Sequence, residues 1–308
     1  MNTNSPPLTP DLWPELPLED WQDTYHTLHM WSQIVGKVRL ALCPRVNHWW
    51  EVTLYVNASG LTTSPIPYPR GVFEIQFDFI NHQLVIQTSQ NTRRTLALAP
   101  RTVADFYRDF MAALAALKIE VKIWKMPVEI LDPIPFDQDT IHASYDPEYA
   151  HRFWRILVCC DAIFKEFRAA FIGKVSPVHF FWGSFDLAVT RFSGRRAPER
   201  PGADTITREA YSHEVLSAGF WPGGGEIKGP AFYAYAAPEP PAFAQHPVSP
   251  KKAFYHPQLK EFLLMYDDVR QAYSPRGALL EFLQSTYDAG ADLGHWNRKE
   301  LEKAASSA

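Results

Sequence analysis

The stretch Ser176-Pro-Val-His-Phe-Phe-Trp-Gly-Ser-Phe-Asp-Leu-Ala-Val-Thr-Arg-Phe-Ser-Gly194 says most about the fold of this chain. It is a long strand-type run that carries His179, Asp186 and Arg191 among aromatic and large aliphatic residues. Polar groups so close to apolar side chains are either satisfied core residues or the wall of a pocket. The residues of the run alone leave both interpretations open.

The composition predicts a folded globular protein. Hydrophobic residues make up 46% of the 308 residues and charged residues 21%, with a high aromatic content of 14%. The formal net charge of −4 argues against nucleic acid as the main partner, because nucleic-acid surfaces are basic. No window holds the roughly 20 apolar residues of a membrane-spanning helix, so no membrane partner is expected.

The cysteines favour a reducing compartment. There are three, Cys43, Cys159 and Cys160, and the last two are adjacent in a helical pattern. An odd count without Cys-x-x-Cys spacing makes a disulfide framework improbable and fits the cytoplasm. The first residues, Met1 to Pro7, lack the basic and apolar regions of a secretory signal.

The order of elements predicts an α+β fold with mainly antiparallel sheet and four long helices. Each half reads as helix, strands, helix, which suggests a divergent tandem duplication. Three prolines among acidic residues mark the boundary between the halves. The predicted segments are an extended N-terminal arm (1–17), a first α+β half (18–125), a Pro-rich linker (126–145), a second α+β half (146–296) and a frayed C-terminal tail (297–308).

Two helix starts carry capping signals. Thr102 offers a side-chain cap with Asp105 three residues on, and Ser274-Pro275 opens the last helix. Residues 48–56, His-Trp-Trp-Glu-Val-Thr-Leu-Tyr-Val, read as a strand of the first half.

Strand alternation places the two histidines on apolar faces. From His48 the same face carries Trp50, and from His179 it carries Phe181, because side chains alternate along a strand. We expect both histidines to line a pocket near the junction of the halves, where burial tunes them for proton transfer. The alternative is a core histidine hydrogen-bonded to the main chain.

Asp186 falls on the opposite face from His179, together with Trp182. This parity fails if the strand bulges, and Gly183 is the position where a bulge fits.

A second polar constellation is Tyr211-Ser-His-Glu-Val215. Its neighbours His213 and Glu214 face opposite ways on a strand, so they cannot act on one ligand atom unless the strand breaks. We expect one of them to pair with His179, Asp186 or Arg191 across the sheet. No metal site is predicted, because no His-x-x-x-His or comparable spacing is present. Arg191 suits capture of a carboxylate or phosphate, although a solvated loop explains the arginines that follow it.

Six stretches resemble an uncharacterised bacterial family, domain of unknown function family 5996. The resemblance covers nearly the whole chain and implies no activity, cofactor or catalytic residue. The matching stretches are Trp13-Pro-Glu-Leu-Pro-Leu18, Val46-Asn-His-Trp-Trp50, Gly60-Leu-Thr-Thr-Ser-Pro-Ile-Pro-Tyr68, Ser176-Pro-Val-His-Phe-Phe-Trp-Gly-Ser-Phe-Asp-Leu187, Ala210-Tyr-Ser-His-Glu214 and Gly219-Phe-Trp-Pro-Gly-Gly224.

The sequence favours a soluble cytoplasmic protein with an aromatic-lined pocket for a small molecule. One alternative is an enzyme with His179 or His48 as general base and Asp186 or Glu214 as orienting acid. Another is a scaffold that docks a partner through exposed aromatics. Cofactor and oligomeric state stay open. The catalytic candidates are His179, Asp186, His213 and Glu214, and the ligand-binding candidates are His48, Trp50, Phe181, Trp182, Arg191 and Trp221.

Overall fold

A computed structural model describes residues 12–303. The chain divides into two compact units that do not follow the chain in simple order. Among the described residues, unit 1 contains 12–15, 155–178 and 187–303, and unit 2 contains 16–154 and 179–186. Unit 2 therefore includes the Pro-rich residues 126–145.

Unit 2 is built on a long buried helix and an antiparallel sheet. Helix α1 (Leu18–Leu42) carries Glu19 and Asp20 in its first turn, where acidic groups favour the helix dipole, and it ends before Pro44. The sheet order is β1-β2-β4-β5-β6, and β3 pairs with β4. The strands are β1 (Tyr55–Val56), β2 (Gly60–Thr62), β3 (Ile66–Tyr68), β4 (Gly71–Asp78), β5 (Gln83–Thr88) and β6 (Arg93–Ala97).

The core of unit 2 lies between this sheet and its helices. Phe73 and Phe77 alternate inward along β4 and are buried. Helix α2 (Val103–Ala116) begins at Thr102, whose hydroxyl accepts a hydrogen bond from the Asp105 N–H at 3.0 Å, as predicted. The Trp31 ring of α1 stacks on Phe106 of α2 at 4.6 Å between ring centroids. The core of unit 2 thus buries apolar side chains of both the helices and the sheet.

Helix α3 (Pro147–Ala169) and the short strand β7 (His179–Phe181) come next in the chain. Unit 1 then holds a second antiparallel sheet, in which β8 to β12 follow the order β11-β12-β10-β9-β8. Its strands are β8 (Asp186–Arg196), β9 (His213–Trp221), β10 (Ala231–Ala237), β11 (Phe254–His256) and β12 (Glu261–Met265). Its further helices are α4 (Thr205–Ala210), α5 (Tyr266–Arg270), α6 (Pro275–Leu293) and α7 (Arg298–Leu301). The predicted cap of α6 is present, since Ser274 Oγ accepts from the Gly277 N–H at 3.1 Å.

The predicted α+β class with antiparallel sheet is confirmed, and α1, α2, α3 and α6 are the four long helices. The strand predicted over residues 48–56 forms only at its end, as β1, and is wrong for its first part. Residues Asn47–Val52 form a 3-10 helix, in which His48 and Trp49 adopt left-handed backbone angles with φ of 60°. Left-handed residues interrupt the alternation of side chains, so the predicted face parity of His48 does not apply.

The run from Ser176 to Gly194 is not one strand. It forms β7 and β8, separated by a turn over residues 182–185 in which Phe185 has a φ of 58°. Gly183 therefore lies in a turn rather than in a bulge. Because the turn interrupts the alternation of side chains, the prediction that His179 and Asp186 face opposite ways does not apply.

The structure describes part of the predicted extended arm (1–17) and part of the predicted frayed tail (297–308), and both parts make contacts with other residues. The indole of Trp13 packs on Tyr266 at 5.9 Å, and the Tyr266 hydroxyl donates to the carbonyl of Pro14 at 2.8 Å. Glu302 forms a β-bridge with Phe171, although residues 297–308 were expected to fray. The remainder of the predicted arm (1–11) and tail (304–308) lies outside the described residues.

Candidate functional site

The predicted site residues fall into both units. Unit 2 holds His48, Trp50, His179, Phe181, Trp182 and Asp186, and unit 1 holds Arg191, His213, Glu214 and Trp221. The largest concentration of aromatic and basic side chains among them lies in unit 2, around His179.

A two-way backbone bridge positions His179. The N–H of Leu54 donates to the carbonyl of Phe180 at 2.9 Å, and the N–H of Phe180 donates back to Leu54 at 2.9 Å. This bridge sets the ring of Tyr55 5.5 Å from that of His179. Phe181, two residues along β7, lies 5.6 Å from His179 in an edge-to-face arrangement.

The ring of Trp50 lies close to both histidines, His48 and His179. Its ring centroid lies 5.5 Å from that of His48 and 5.6 Å from that of His179. Both imidazoles are buried, with exposed fractions of 5% for His48 and 1% for His179. The contact between His48 and Trp50 forms although residues 47–52 are not a strand and His48 and Trp49 have left-handed backbone angles.

Arg39 completes the cluster and was not predicted from the sequence. Its guanidinium carbon lies 5.6 Å from the centroid of the Tyr55 ring, and its Nε donates to the carbonyl of Glu51 at 2.7 Å. Arg39 is 7% exposed, and its buried Nη1 has no hydrogen-bond partner among the described residues. The sequence offers one signal for Arg39: it follows Val38 directly, on a turn of α1 whose other residues are buried.

We call this group the Tyr55 cluster. Its members are Arg39, His48, Trp50, Tyr55, His179 and Phe181. It combines a buried guanidinium that retains donor capacity with three partly exposed aromatic rings. Arginine in such a setting can bind a carboxylate or phosphate, and the rings can stack on a planar body.

Trp182 and Asp186 take separate positions in unit 2. The indole N–H of Trp182 donates to the carbonyl of Val52 at 2.6 Å, and the ring covers Gly36 of α1. Asp186 is 7% exposed and begins β8 after the turn at 182–185. Trp182 therefore joins β7 to the 3-10 helix and α1 within unit 2.

In unit 1, Arg191 is enclosed by aromatic rings. Its guanidinium carbon lies 3.4 Å from the centroid of Phe167 and 4.2 Å from that of Tyr287, and its Nη2 donates to the carbonyl of Phe167. Burial lowers the pKa of Arg191 to about 10. The arginine thus fixes the packing of α3 against α6 within this unit.

The other predicted residues of unit 1 have partners of their own. Glu214 accepts hydrogen bonds from Ser193 Oγ and Arg195 Nε, each at 2.8 Å. His213 lies at the start of β9, and burial lowers its pKa, with the positive charge of Lys174 the next cause. Trp221 packs against a small apolar cluster of Ile227, Ala231 and Leu263.

None of the ten predicted residues lines either of two cavities found on the described part of the chain. The larger, about 290 Å³, lies over β4 and β5 of unit 2 beside Glu74, Gln76 and Gln87. The smaller, about 10 Å³, lies between α6 and the sheet of unit 1. Both cavities are therefore separate from the Tyr55 cluster.

The structure contains a histidine–carboxylate pair that sequence reasoning missed. His142 Nδ1 lies 2.7 Å from Asp139 Oδ2, and Asp139 is buried while His142 keeps 29% of its side chain exposed. The Asp139 carboxylate raises the pKa of His142, and the His142 bonds outweigh burial to lower the pKa of Asp139. The local signal is Asp-Thr-Ile-His, with the two groups three residues apart.

Within residues 12–303, no group of three or more His, Cys, Asp or Glu side chains is arranged to hold a metal ion. In the same residues no helix is long and apolar enough to cross a membrane. All three cysteines are free thiols.

A family model matches residues 13–303, and its description is a family of unknown function, DUF5996. No curated protein and no solved structure matches the chain.

Proposed function

The chain belongs to the DUF5996 family of unknown function, and we propose that it binds a small planar anion at the Tyr55 cluster. The ligand class is an aromatic or conjugated carboxylate. One observation carries the proposal: the buried Nη1 of Arg39 retains a hydrogen to donate, next to a ring that also contacts His179.

An unsatisfied buried donor is costly, and this cost favours an anionic ligand. A buried polar group without a partner loses about 1–3 kcal/mol, and more when it is charged. A carboxylate that accepts from Arg39 recovers this loss through a charge-assisted hydrogen bond. The Nε of Arg39 already donates to the carbonyl of Glu51, so Nη1 donates the hydrogen bond to the carboxylate of the ligand.

The aromatic members of the cluster supply the surface for the planar body. Trp50, Tyr55 and Phe181 are each partly exposed, whereas His179 is buried behind them. Rings that keep one face accessible can stack on a ligand at low entropic cost, because each has few rotatable bonds. Arg39 and these rings therefore select a ligand that is both flat and negatively charged.

The proposal is tested with a matched pair of probes, cinnamate and its neutral amide, cinnamamide. Ligand-observed saturation-transfer NMR with the full chain measures binding of each. We expect cinnamate to bind and cinnamamide to bind at least about tenfold more weakly, because a charged hydrogen bond is worth roughly 1.5–3 kcal/mol. Equal binding of both probes, or binding of neither, rejects an anion site.

A second candidate function, acid–base catalysis, is favoured by the His142–Asp139 pair. A buried carboxylate that holds one imidazole nitrogen leaves the other nitrogen to exchange a proton with a substrate. Hydrolysis of p-nitrophenyl acetate is the test, with His142→Gln compared with His246→Gln on the surface of unit 1. Loss of activity in the first variant alone supports the candidate, and equal rates reject it.

We also propose a cytoplasmic location, since the three free thiols, two of them adjacent, suit a reducing compartment. A role as a docking scaffold has less support, because the partly exposed rings of Trp50, Tyr55 and Phe181 all contact the buried His179 rather than forming a separate apolar patch.

A further inference from the structure

Lys37 of α1 is a buried amine held among aromatic rings of unit 2. The residue is 3% exposed, and its Nζ donates to the carbonyl of Met126 at 2.8 Å. The ring centroids of Trp124, Phe136 and Trp182 lie 4.7, 5.7 and 5.9 Å from Nζ. One carbonyl and three rings thus surround a group that is usually found in water.

Within the described chain, no carboxylate lies within ion-pair distance of Lys37 Nζ. The charged groups of the adjacent segment have other partners: Lys125 pairs with Asp137 at 2.6 Å, and Glu129 accepts from Ser184 at 2.8 Å. Other titratable side chains on the elements around this part of α1 are Arg39, Glu51, Tyr107 and Asp186. A buried lysine without a counter-ion loses part of its preference for the charged form.

Burial accordingly lowers the pKa of Lys37 to about 8. At pH 7 about one Lys37 amine in ten is unprotonated, against about one in three thousand for an ordinary lysine. The unprotonated amine carries the lone pair that attacks an electrophile. Lys37 is therefore far more nucleophilic near neutral pH than a solvated lysine.

The amine is close to solvent although it is covered. Trp124, the nearest ring, is 67% exposed and lies in a stretch, residues 119–125, without helix or strand. The covering chain is tied to α1 by paired hydrogen bonds between Gln33 and the backbone of Val128, each 2.8 Å, and by Lys37 itself. Trp124 is thus the most exposed of the three rings that surround Nζ.

We propose that Lys37 condenses with a small aldehyde or ketone whose apolar part packs against Trp124, Phe136 and Trp182. The lone pair of Nζ attacks the carbonyl carbon and gives a carbinolamine. The C–O bond then breaks, both hydrogens of the amine nitrogen leave with the oxygen as water, and a C=N bond remains. No oxidant or reductant takes part, and the formation of the imine is reversed by water. The site is separate from the Tyr55 cluster and does not depend on its function.

Reductive trapping with butanal and sodium cyanoborohydride tests the proposal on the full chain. Hydride adds to the imine carbon and fixes a butyl group, which peptide mass spectrometry locates and quantifies. Lys125 is the matched control, because it is exposed and its pKa is raised by Asp137. At pH 7 we expect Lys37 to be labelled at least about tenfold faster than Lys125, with the ratio falling towards pH 10 as ordinary lysines lose their protons.

Two variants complete the test. Trp124→Ala removes the exposed ring, so better hydration of the amine raises the pH at which labelling of Lys37 reaches half of its maximum rate. Lys37→Arg keeps a cation but forms no imine, so the labelled peptide disappears while the urea unfolding midpoint shows whether the fold is kept. Labelling of Lys37 at pH 7 no faster than that of Lys125, or an unchanged pH dependence of labelling in Trp124→Ala, overturns the proposal.

Discussion

The guanidinium of Arg39 lies 5.6 Å from the centre of the Tyr55 ring, although the two residues belong to different elements of unit 2. Arg39 comes from α1, and Tyr55 comes from β1 immediately after the bridge at Leu54. Because the Tyr55 ring also lies 5.5 Å from that of His179, a single tyrosine ring connects the buried cation to the buried imidazole. This arrangement makes Tyr55 the centre of the proposed anion site.

His179→Phe separates a binding role from a purely structural one. Three aromatic rings lie within 5.6 Å of the His179 ring, so a phenyl ring keeps these contacts, and we expect a change of less than about 1.5 kcal/mol in the free energy of unfolding. We expect cinnamate binding to weaken while the urea unfolding midpoint stays near that of the unmodified chain. A variant that fails to fold identifies His179 as a core residue.

Gly36→Ala tests the close contact between α1 and Trp182. A Cβ at Gly36 would lie 2.2 Å from the Trp182 indole, so the ring must move and its hydrogen bond to Val52 must weaken. Overpacking of this kind costs about 1–3 kcal/mol, measured as the loss in free energy of unfolding in urea. The control is Gly229→Ala, whose Cβ meets only Met265 Cε at 3.9 Å. Equal stability of the two variants would show that the Trp182 ring can move away from residue 36 without a loss in the free energy of unfolding.

Thr102→Ala removes the cap of α2. The hydroxyl accepts from the Asp105 N–H and donates to the Asp105 carboxylate, which together satisfy the start of the helix. The expected loss is about 1 kcal/mol in the free energy of unfolding, and Thr102→Ser, which keeps the hydroxyl, restores most of it. If serine is as destabilising as alanine, the methyl group and not the cap is responsible.

The His142–Asp139 pair predicts a specific pH dependence. The folded-state pKa of His142 is raised, so its contribution to stability is present below its ordinary pKa of 6.5 and is lost as the pH rises through the folded value. The folded-state pKa of Asp139 is lowered, so its contribution is present above 3.8 and is lost as the pH falls through the folded value. The pair is therefore most stabilising between these ordinary values.

Nuclear magnetic resonance titration of His142 in Asp139→Asn checks the cause of its shift. Asparagine keeps an oxygen that can accept the backbone N–H groups but removes the charge. We expect the pKa of His142 to fall, and a titration unchanged by the substitution would mean that another group sets it.

Local signals in the sequence predicted the parts of the fold that depend on local chemistry. The caps at Thr102 and Ser274 involve groups three residues apart, and the structure contains both. The left-handed turn at His48 and the turn ending at Phe185 could not be predicted in this way, because positive φ at bulky residues is rare and is imposed by tertiary contacts.

The candidate site shows the same division. Trp50, His179 and Phe181 were singled out by their density of polar and aromatic groups, which is visible in the sequence. Arg39 was not, because its position beside Tyr55 results from the path of the chain between α1 and β1, over a distance that no short motif spans. Asp139 and His142 do form a local pattern, but two residues at that spacing are common and carry little information alone.

Isothermal titration of cinnamate into the unmodified chain, Arg39→Met and Arg45→Met tests the central proposal most directly. Arg45 lies over the ring of Trp49 at 4.1 Å and is exposed, so its variant removes the same charge outside the Tyr55 cluster. The account predicts that Arg39→Met weakens binding at least about tenfold and that Arg45→Met changes it less than about twofold. Equal affinities for all three proteins would contradict it.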